Sequence, residues 1–468
     1  MRRIAEYAPM NSTSTSSPFE LETELRRDLG VVSATSIIVG GIIGSGIFGA
    51  PAGIAQQLGN PGLFLLVWIV GGALCFAGAL CFAELGTMMP RSGGQFVYLK
   101  EAFPPIVAFL YGWVEVVLLQ SAGLAAIGAI CTSYMGYFLP FISSQVAVFD
   151  LGSFVISSQQ VAIWILLIFL CFVNYVGVRF GGLVMNLTTF AKVSALAGLA
   201  LLAIVLGGNG QHFQPLVPPD IDAGILTILG PAMIGALFAY QGWVNTSMVM
   251  GEVREPQRIL PRVILFGLGL CTLVYLAVNW SYLYILGIGD IAASDRVAAD
   301  VATRLIGPVG GSLISAAVMI STFGTMNGTL IITPRIPYAM ARAGMFFKSF
   351  THVHPRFKTP SRAILATTAW AILWTFLGNF QAIINAFVYI VYLYYGLNVL
   401  ALIVLRRKHP DAKRPYKVPG YPYVPVFFLV VVAWVVATVV IQNFMQALPG
   451  LGVLGLGAVV YLIWFRKA

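Results

Sequence analysis

The sequence predicts an all-α integral membrane protein with about twelve transmembrane helices. Hydrophobic residues make up 59% of the 468-residue chain and charged residues only 9%, whereas a typical soluble protein has roughly 25% charged residues. This composition excludes soluble globular, disordered and collagen-like chains. Twelve helices of about 20 apolar residues would use roughly half of the chain, which leaves short loops and no large soluble domain.

Twelve apolar spans follow one another along the chain. They cover about residues 31–57, 62–89, 105–138, 158–177, 184–206, 224–250, 259–286, 309–342, 362–378, 381–405, 424–443 and 450–465. Two stretches between them, 94–103 and 290–306, are expected to form short interfacial helices on opposite sides of the membrane. The polar residues 1–28 lack the pattern of a signal peptide and are interpreted as a loose cytoplasmic tail.

The basic residues indicate the orientation of these spans. With the N-terminus in the cytoplasm, 24 of the 27 Lys and Arg residues lie on the cytoplasmic side, and only Arg296 and Arg304 lie outside. Lys and Arg favour cytoplasmic loops, so we expect a multi-pass protein of the cell (inner) membrane with both termini in the cytoplasm. The formal net charge of +10 is then explained by the basic cytoplasmic loops of a protein in the lipid bilayer. No nucleic-acid partner is expected.

The first and sixth spans are predicted to be interrupted helices, because both contain helix-weakening residues. The first has five glycines before Pro51, and the sixth is weakened near Gly242. At about 1.5 Å per residue, Gly44 and Phe238 both lie roughly 20 Å into spans that run in opposite directions. The breaks therefore meet near the membrane midplane, as in an inverted repeat. The predicted repeats are residues 29–206 and 224–405, with two additional helices in 424–465.

Interrupted helices expose backbone groups that can bind charged ligands. Amides at the first break suit a carboxylate, and carbonyls at both breaks suit an ammonium group, so the pair predicts a site for the backbone part of an α-amino acid. Lone polar side chains such as Gln120 more often form helix–helix hydrogen bonds. The candidate substrate-binding residues are Ile42, Ile43, Gly44, Ser45, Gly46, Phe238, Ala239, Tyr240, Gly242, Gln120 and Asn245.

The glycines of the first span allow two other interpretations. Gly44–Gly49 matches G-x-G-x-x-G, but it lacks the preceding strand and the following acidic residue of a dinucleotide site. Small residues also allow close packing of membrane helices, and this is the favoured role of Gly40 and Gly41.

Several motifs resemble those of amino acid–polyamine–organocation (APC) transporters, most closely the L-type amino acid transporter (LAT) branch. They are Ile42–Phe48 (IIGSGIF), Pro90–Tyr98 (PRSGGQFVY), Phe238–Trp243 (FAYQGW), Glu252–Arg262, His354–Pro360 and Arg414–Pro419. The resemblance spans residue 29 to about residue 425. It implies the LeuT-type fold, with a five-plus-five inverted repeat, broken helices 1 and 6, and two extra helices.

The resemblance also implies a function and its partners. It implies sodium-independent secondary transport of L-amino acids by alternating access, as an exchanger or a proton-coupled symporter; a polyamine or cationic amino acid antiporter is the alternative. Animal relatives use a cysteine in the third-to-fourth loop to bond a partner. Residues 139–157 contain no cysteine, so no disulfide-linked ancillary subunit is expected.

Three charged residues are expected within the bilayer, where charges are costly and often functional. Lys192 matches a family lysine that stands in for a sodium ion, and it is expected near Ser321 and Thr322; the alternative is a lysine that reaches the inner headgroups. Glu115 is either a second coupling site or half of a buried pair. Glu84 is expected to make a structural contact with a backbone amide or a loop arginine.

The sequence lacks the residues that other classes of function require. The spans contain no His or Asp, and all five cysteines lie in apolar stretches, so we expect no enzyme activity, catalytic residue, metal site or cofactor. A channel would use a symmetric filter or a charged ring, which asymmetric breaks in two helices do not provide.

Overall fold

The computed structural model describes residues 31–89, 94–150, 152, 155–176, 181–218, 224–244, 256–342, 344–357 and 359–465. Two predicted features, the tail at 1–28 and the candidate residue Asn245, lie outside the described residues. Within the described ranges the chain is almost entirely helical. The predicted all-helical membrane architecture is therefore confirmed.

Seventeen helices are seen in the described ranges. In chain order they are α1 (Val31–Ile42), α2 (Gly46–Leu58), α3 (Pro61–Met88), α4 (Gln95–Ala102), α5 (Pro105–Val114), α6 (Gln120–Phe138), α7 (Ser158–Val176), α8 (Gly181–Leu206), α9 (Gly224–Ala239), α10 (Pro256–Leu286), α11 (Ile288–Ala293), α12 (Val297–Ile332), α13 (Arg335–Arg342), α14 (Ser361–Trp374), α15 (Phe380–Lys408), α16 (Tyr423–Gln442) and α17 (Phe444–Val460). Short 3-10 turns cover Gly210–Phe213, Lys348–Thr351 and Thr375–Leu377, and π-helical turns cover Glu115–Leu119 and Tyr461–Phe465.

Eight helical segments of the described chain are long and apolar enough to cross a membrane. They are Pro61–Met88, Pro105–Phe138, Ser158–Val176, Pro261–Leu286, Val297–Arg342, Phe380–Lys408, Tyr423–Gln442 and Phe444–Phe465. Three shorter apolar helices cover Lys192–Leu206, Gly224–Ala239 and Ser361–Leu377. The first predicted span is divided between α1 and α2, so the count of twelve membrane crossings stays a prediction.

Local sequence signals account for the turn between α2 and α3. Gly59 ends α2 in the left-handed conformation, with φ 57°, and its amide donates to the Ala55 carbonyl. The Asn60 side chain then accepts a hydrogen bond from the Leu63 amide, and Pro61 occupies the first helical position. Glycine after a helix, and asparagine and then proline before the next, are the residues that these positions favour.

The third predicted span contains a feature that the sequence did not reveal. Between α5 and α6, residues Glu115–Leu119 form a π-helical turn. The Val117 carbonyl accepts hydrogen bonds from the Ser121 hydroxyl at 2.8 Å and from the Trp374 indole nitrogen at 2.9 Å. Single π-turns inside α-helices occur frequently at functional sites.

The two predicted interfacial helices differ in outcome. The first stretch is helical as predicted, as α4, and its place at the membrane interface stays a prediction. The second stretch forms two helices instead of one, because α11 ends at Ala293 and α12 begins at Val297. The Ser294 hydroxyl accepts the Arg296 amide at 3.1 Å, and this local bond favours a new helix start. A two-stranded antiparallel hairpin, β1 (Ala147–Asp150) and β2 (Val155–Ser157), joins α6 to α7.

The interrupted helices lie in the interior of the helix assembly. α2 packs against α9, α1 packs against α10, and α10 packs against α3. α12 packs against both α6 and α8. Most residues at the breaks, among them Ile42, Ile43, Gly46 and Ala239, are buried, and irregular backbone at membrane depth is tolerated where protein or a water-filled cavity surrounds it.

Candidate functional site

The first break separates α1 from α2. The Gly44 amide donates to the Ile42 carbonyl at 2.7 Å, which closes a tight turn just after α1. The Ser45 carbonyl accepts the Phe48 and Gly49 amides at 3.1 and 3.2 Å, so the hydrogen-bond pattern of α2 starts there. The Ile43 amide still donates to the Val39 carbonyl at 2.8 Å, so the interruption begins at Gly44, inside the predicted motif.

The N-terminus of α2 presents amides toward the break. Within the described residues, no acceptor bonds the amides of Ser45, Gly46 or Ile47, and the Ser45 side chain makes no capping bond. The first amides of a helix lack intrahelical partners and carry partial positive charge. This end of the break therefore suits a carboxylate.

The second break follows α9. The Tyr240 amide donates to the Ala236 carbonyl at 2.9 Å, and the Gln241 amide closes a shorter turn onto Phe238 at 3.1 Å. Gly242 has φ 119°, a conformation that favours glycine. α9 thus ends next to the residues at which the sequence predicted a break.

The two breaks are in backbone contact. A Cβ at Gly46 would overlap the Cα of Ala239 and lie 2.9 Å from the Ala239 amide nitrogen. A Cβ at Gly242 would overlap the Gly41 carbonyl and lie 3.1 Å from the Ile42 amide nitrogen. The N-terminus of α2 and the C-termini of α1 and α9 therefore converge on one place, which is the predicted juxtaposition of amides and carbonyls.

Two tyrosine hydroxyls donate to the carbonyls at this place. The Tyr275 hydroxyl lies 2.7 Å from the Ile42 oxygen and 3.0 Å from the Ala239 oxygen. The Tyr392 hydroxyl lies 3.1 Å from the Leu237 oxygen. Sequence reasoning missed the role of Tyr275, because nothing distinguishes a tyrosine in an apolar span until the helices are packed.

Lys192 lies in the interior beside the first break. It is buried, and its Nζ donates to Thr325 Oγ1 at 3.1 Å. It borders a small cavity of about 10 Å³ together with Phe48 of α2 and Ser321 of α12. The Thr322 hydroxyl bonds its own helix, at the Val318 carbonyl. The structure thus brings Lys192 close to Ser321, while its hydrogen bond is to Thr325, which the sequence analysis did not name.

Glu115 is buried on the π-helical turn and bonds an amide. The Gln120 Nε2 atom donates to Glu115 Oε1 at 2.6 Å, and the Thr333 hydroxyl donates to Gln120 Oε1 at 3.3 Å. Gln120 is therefore engaged by Glu115 and Thr333. No cation forms an ion pair with Glu115 in the described part of the chain.

Glu84 joins three parts of the chain at the end of α15. Arg406 donates to both of its carboxylate oxygens, at 2.8 and 2.6 Å, and the Val418 amide donates at 2.7 Å. The Arg406 guanidinium also lies 3.7 Å from the ring centroid of Tyr421. In the same loop, burial raises the pKa of Tyr416 to about 12. The structural role predicted for Glu84 is confirmed.

Comparison with known proteins decides the family. The profile of the family described as amino acid permease matches residues 29–464. This chain belongs to the amino acid permease family. The permease is 32% identical to the serine/threonine exchanger SteT of Bacillus subtilis, over 92% of this chain and 94% of that protein.

Two human transporters are also similar to this permease. It is 32% identical to the human b(0,+)-type amino acid transporter 1, over 90% of this chain and 84% of that protein. It is 34% identical to the human large neutral amino acids transporter small subunit 2, over 84% of this chain and 72% of that protein. The permease is therefore an amino acid transporter of the APC superfamily, near the LAT branch, and a multi-pass membrane protein.

Proposed function

We propose that this permease exchanges zwitterionic L-amino acids across the cell membrane by alternating access, without sodium. The convergence of one helix N-terminus and two helix C-termini carries the proposal. The amides of Ser45 and Gly46 bind the substrate carboxylate, and the carbonyls at the ends of α1 and α9 bind the ammonium group. Every α-amino acid has these two groups, so the backbone recognises the class and side chains select among its members.

The proposed architecture is the LeuT-type inverted repeat. Residues 29–206 and 224–405 form the two five-helix repeats, residues 424–465 add two helices, and both termini lie in the cytoplasm. The opposite directions of α1–α2 and α9 across one site support this arrangement, as do the basic loops. Movement of one repeat against the other then opens the site to each side in turn.

Lys192 makes sodium unnecessary in this proposal. Its ammonium group supplies a fixed positive charge between α2, α8 and α12, where Thr325 holds it at 3.1 Å. Ser321 and Thr322 lie on the adjoining turn of α12. Glu115 is the second candidate for coupling, because it is a buried acid whose described side-chain partner is a neutral amide.

Transport needs no disulfide-linked partner in this proposal. The name of one human relative describes it as a small subunit. In this permease all five cysteines are buried and free: Cys75, Cys81, Cys131, Cys171 and Cys271. None of them is placed to bond a second chain.

The test is uptake by proteoliposomes that contain only the purified permease. Labelled L-amino acids are supplied in sodium-free buffer, with and without internal amino acid and with and without a proton gradient. Uptake that requires internal amino acid supports exchange. Uptake driven by protons alone replaces exchange with symport, and uptake of polyamines or cationic amino acids alone overturns the proposed substrate class.

A further inference from the structure

The loop between α6 and α7 carries a hairpin that the proposed transport site does not use. Its strands, β1 and β2, form a two-stranded antiparallel sheet. All four residues of β1 are exposed, including Val148 at 60% and Phe149 at 50%. Neither face of β1 is therefore covered by the part of the protein that the structure describes.

Exposed apolar side chains continue from the hairpin back to the end of α6. We call the large ones the hairpin patch; each is at least 41% exposed, and they are Phe138, Leu139, Phe141, Val146, Val148, Phe149 and Val155. An antiparallel sheet with one face in water normally has polar residues on that face, and an isolated two-stranded hairpin is only marginally stable in water. The hairpin patch is therefore a surface for an apolar partner.

The base of the hairpin is fixed to the ends of both helices. After α6 the chain turns back so closely that a Cβ at Gly136 would overlap the Ile142 carbonyl oxygen. At the start of α7, the Ser158 hydroxyl donates to the Phe141 carbonyl at 2.6 Å, and the Ser158 amide donates to the Val146 carbonyl at 2.8 Å. The hairpin patch therefore has a defined position relative to α6 and α7.

The length of α7 places this base at the edge of the hydrocarbon layer. α7 has 19 residues, and at 1.5 Å per residue it is about 28 Å long. The hydrocarbon layer of a bilayer is roughly 30 Å thick, and the headgroups add only about 5–7 Å on each side. The outward side chains Phe169 and Phe172 are more than half exposed, as contact with lipid requires. Because Ser158 is the first residue of α7, the hairpin begins where the headgroups begin.

The loop lacks the charges that would bind anionic headgroups. No Lys, Arg or His occurs between Lys100 and Arg179, and recognition of anionic lipids depends on clusters of basic residues. Asp150 is the one acidic residue of residues 139–157, and its carboxylate accepts the Gly152 amide at 2.8 Å within the turn. Burial of apolar surface is therefore the source of free energy that this loop offers for binding.

We propose that the hairpin is a membrane anchor. The hairpin patch inserts at the boundary between the headgroups and the acyl chains of the nearer leaflet, which is the outer leaflet in the proposed orientation, and it binds lipid whatever the headgroup charge. Through Ser158 and the turn at Gly136, this contact fixes the depth of α6 and α7 in the bilayer. The inference depends on the membrane-spanning architecture and not on which amino acid is transported, so its failure would leave the proposed function intact.

Spin labels on single introduced cysteines test the anchor by their depth. Val148→Cys and Phe149→Cys replace exposed residues, while the five native cysteines are buried. Each labelled permease is reconstituted into phosphatidylcholine vesicles. Collision rates of the nitroxide are compared for oxygen, which concentrates in lipid, and for a water-soluble nickel complex present on both sides. We expect both labels to lie about 5–10 Å into the headgroup–acyl boundary, as the apolar faces of interfacial segments do, and addition of phosphatidylglycerol to leave this depth unchanged.

Two further variants are the references for lipid and for water. Phe172→Cys lies on the outward face of α7 and is the lipid reference; Gln211→Cys lies on the exposed turn Gly210–Phe213 and is the aqueous reference. Nickel collision rates at positions 148 and 149 as high as in Gln211→Cys would show that the hairpin extends into water, and would overturn the inference. Low collision rates with both reagents would overturn it equally, because protein, such as a second copy of this chain, would then cover the hairpin patch.

A photoreactive side chain gives a second measurement that does not depend on spin labels. With p-benzoylphenylalanine in place of Phe149, irradiation should join the permease to phosphatidylcholine, which mass spectrometry detects as the added mass of the lipid. The same replacement of Gln211 should give no lipid adduct. Cross-linking of the permease to itself through position 149, or no adduct there, would contradict the lipid contact.

Discussion

Gly46 lies directly against Ala239, with the backbones of α2 and α9 in contact. A Cβ on Gly46 would lie 2.9 Å from the Ala239 Cβ, closer than real Cβ atoms approach. The position of the α2 N-terminus relative to the end of α9 therefore depends on the absence of a side chain at one residue.

Gly46 and the neighbouring Gly44 should respond differently to substitution. Gly46→Ala should lower the free energy of unfolding by about 1–3 kcal/mol, because the added methyl group overpacks the contact. A Cβ on Gly44 meets only the Ile42 carbonyl, at 3.8 Å, so Gly44→Ala is the control and should melt like the unmodified permease. Thermal melting in detergent measures both. Equal melting temperatures for the two variants would contradict the packing argument.

Gly44→Leu tests the proposed carboxylate site. A Cβ has room at this position, and we expect the larger side chain to occupy space beside the α2 amides. We expect the affinity for labelled L-serine to fall at least tenfold, about 1.4 kcal/mol, with the melting temperature unchanged. Full affinity in a folded Gly44→Leu protein would place the substrate elsewhere.

Lys192→Met tests whether the buried ammonium group takes part in coupling. The substitution keeps the apolar length and removes the charge. We expect the uptake rate to fall at least tenfold and its pH dependence to flatten, measured in proteoliposomes across a pH series. Thr325→Val is the control, since it removes the 3.1 Å hydrogen bond and keeps the charge. An unchanged rate and pH profile in Lys192→Met would make Lys192 a packing residue.

Glu115→Gln distinguishes a proton-exchanging acid from a required carboxylate. The amide is neutral, as the protonated acid is, and its oxygen can still accept from Gln120. We expect the variant to transport at every pH as the unmodified permease does at low pH. Glu115→Ala, which leaves the Gln120 amide without this acceptor, should be less stable. Loss of transport by Glu115→Gln at every pH would show instead that the negative charge is needed.

Glu84→Gln should destabilise the permease. It leaves Arg406 without its carboxylate, and removing one partner of a buried pair costs about 3–5 kcal/mol. We expect a cost at the lower end of this range, because the Arg406 side chain is 20% exposed. Asp411→Asn, on the exposed part of the same loop, is the control and should not change the melting temperature. A Glu84→Gln variant that melts like this control would contradict the proposed strength of the contact.

The cysteines provide a test of partner bonding. Each of the five is buried, so a membrane-impermeant maleimide should label none of them in the folded permease. Ser349→Cys places a thiol on the exposed turn before α14 and should be labelled when the permease is purified in detergent, where both faces are open to the reagent. Gel migration should be the same with and without reductant. Labelling of a native cysteine, or a larger species lost on reduction, would contradict a permease that acts without a disulfide-linked partner.

The sequence predicts the features that depend on residues close together in the chain. Apolar spans, the helix α4 and the weak points near Gly44 and Gly242 follow from composition and from glycine. The bond between Glu84 and Arg406, and the reach of Tyr275 to both helix ends, join residues far apart. They depend on how whole helices pack, which local patterns do not contain.

The choice between neighbouring partners depends on helix rotation. Lys192 was expected near Ser321 and Thr322, and it bonds Thr325, one turn after Ser321. Successive helical residues point about 100° apart, so an error of one residue in rotation selects a different hydroxyl. Asn245 lies outside the described residues, and its role stays a prediction.

The π-helical turn at Glu115–Leu119 changes the rotational register of α6 relative to α5. In a regular α-helix, residues five apart point about 140° away from each other. Here Glu115 and Gln120, which are five apart, bond at 2.6 Å. Deleting one residue from the turn would restore a uniform helix and rotate Ser121 away from Trp374. The additional residue therefore rotates α6 relative to α5, so that the two parts of one helix face different neighbouring helices.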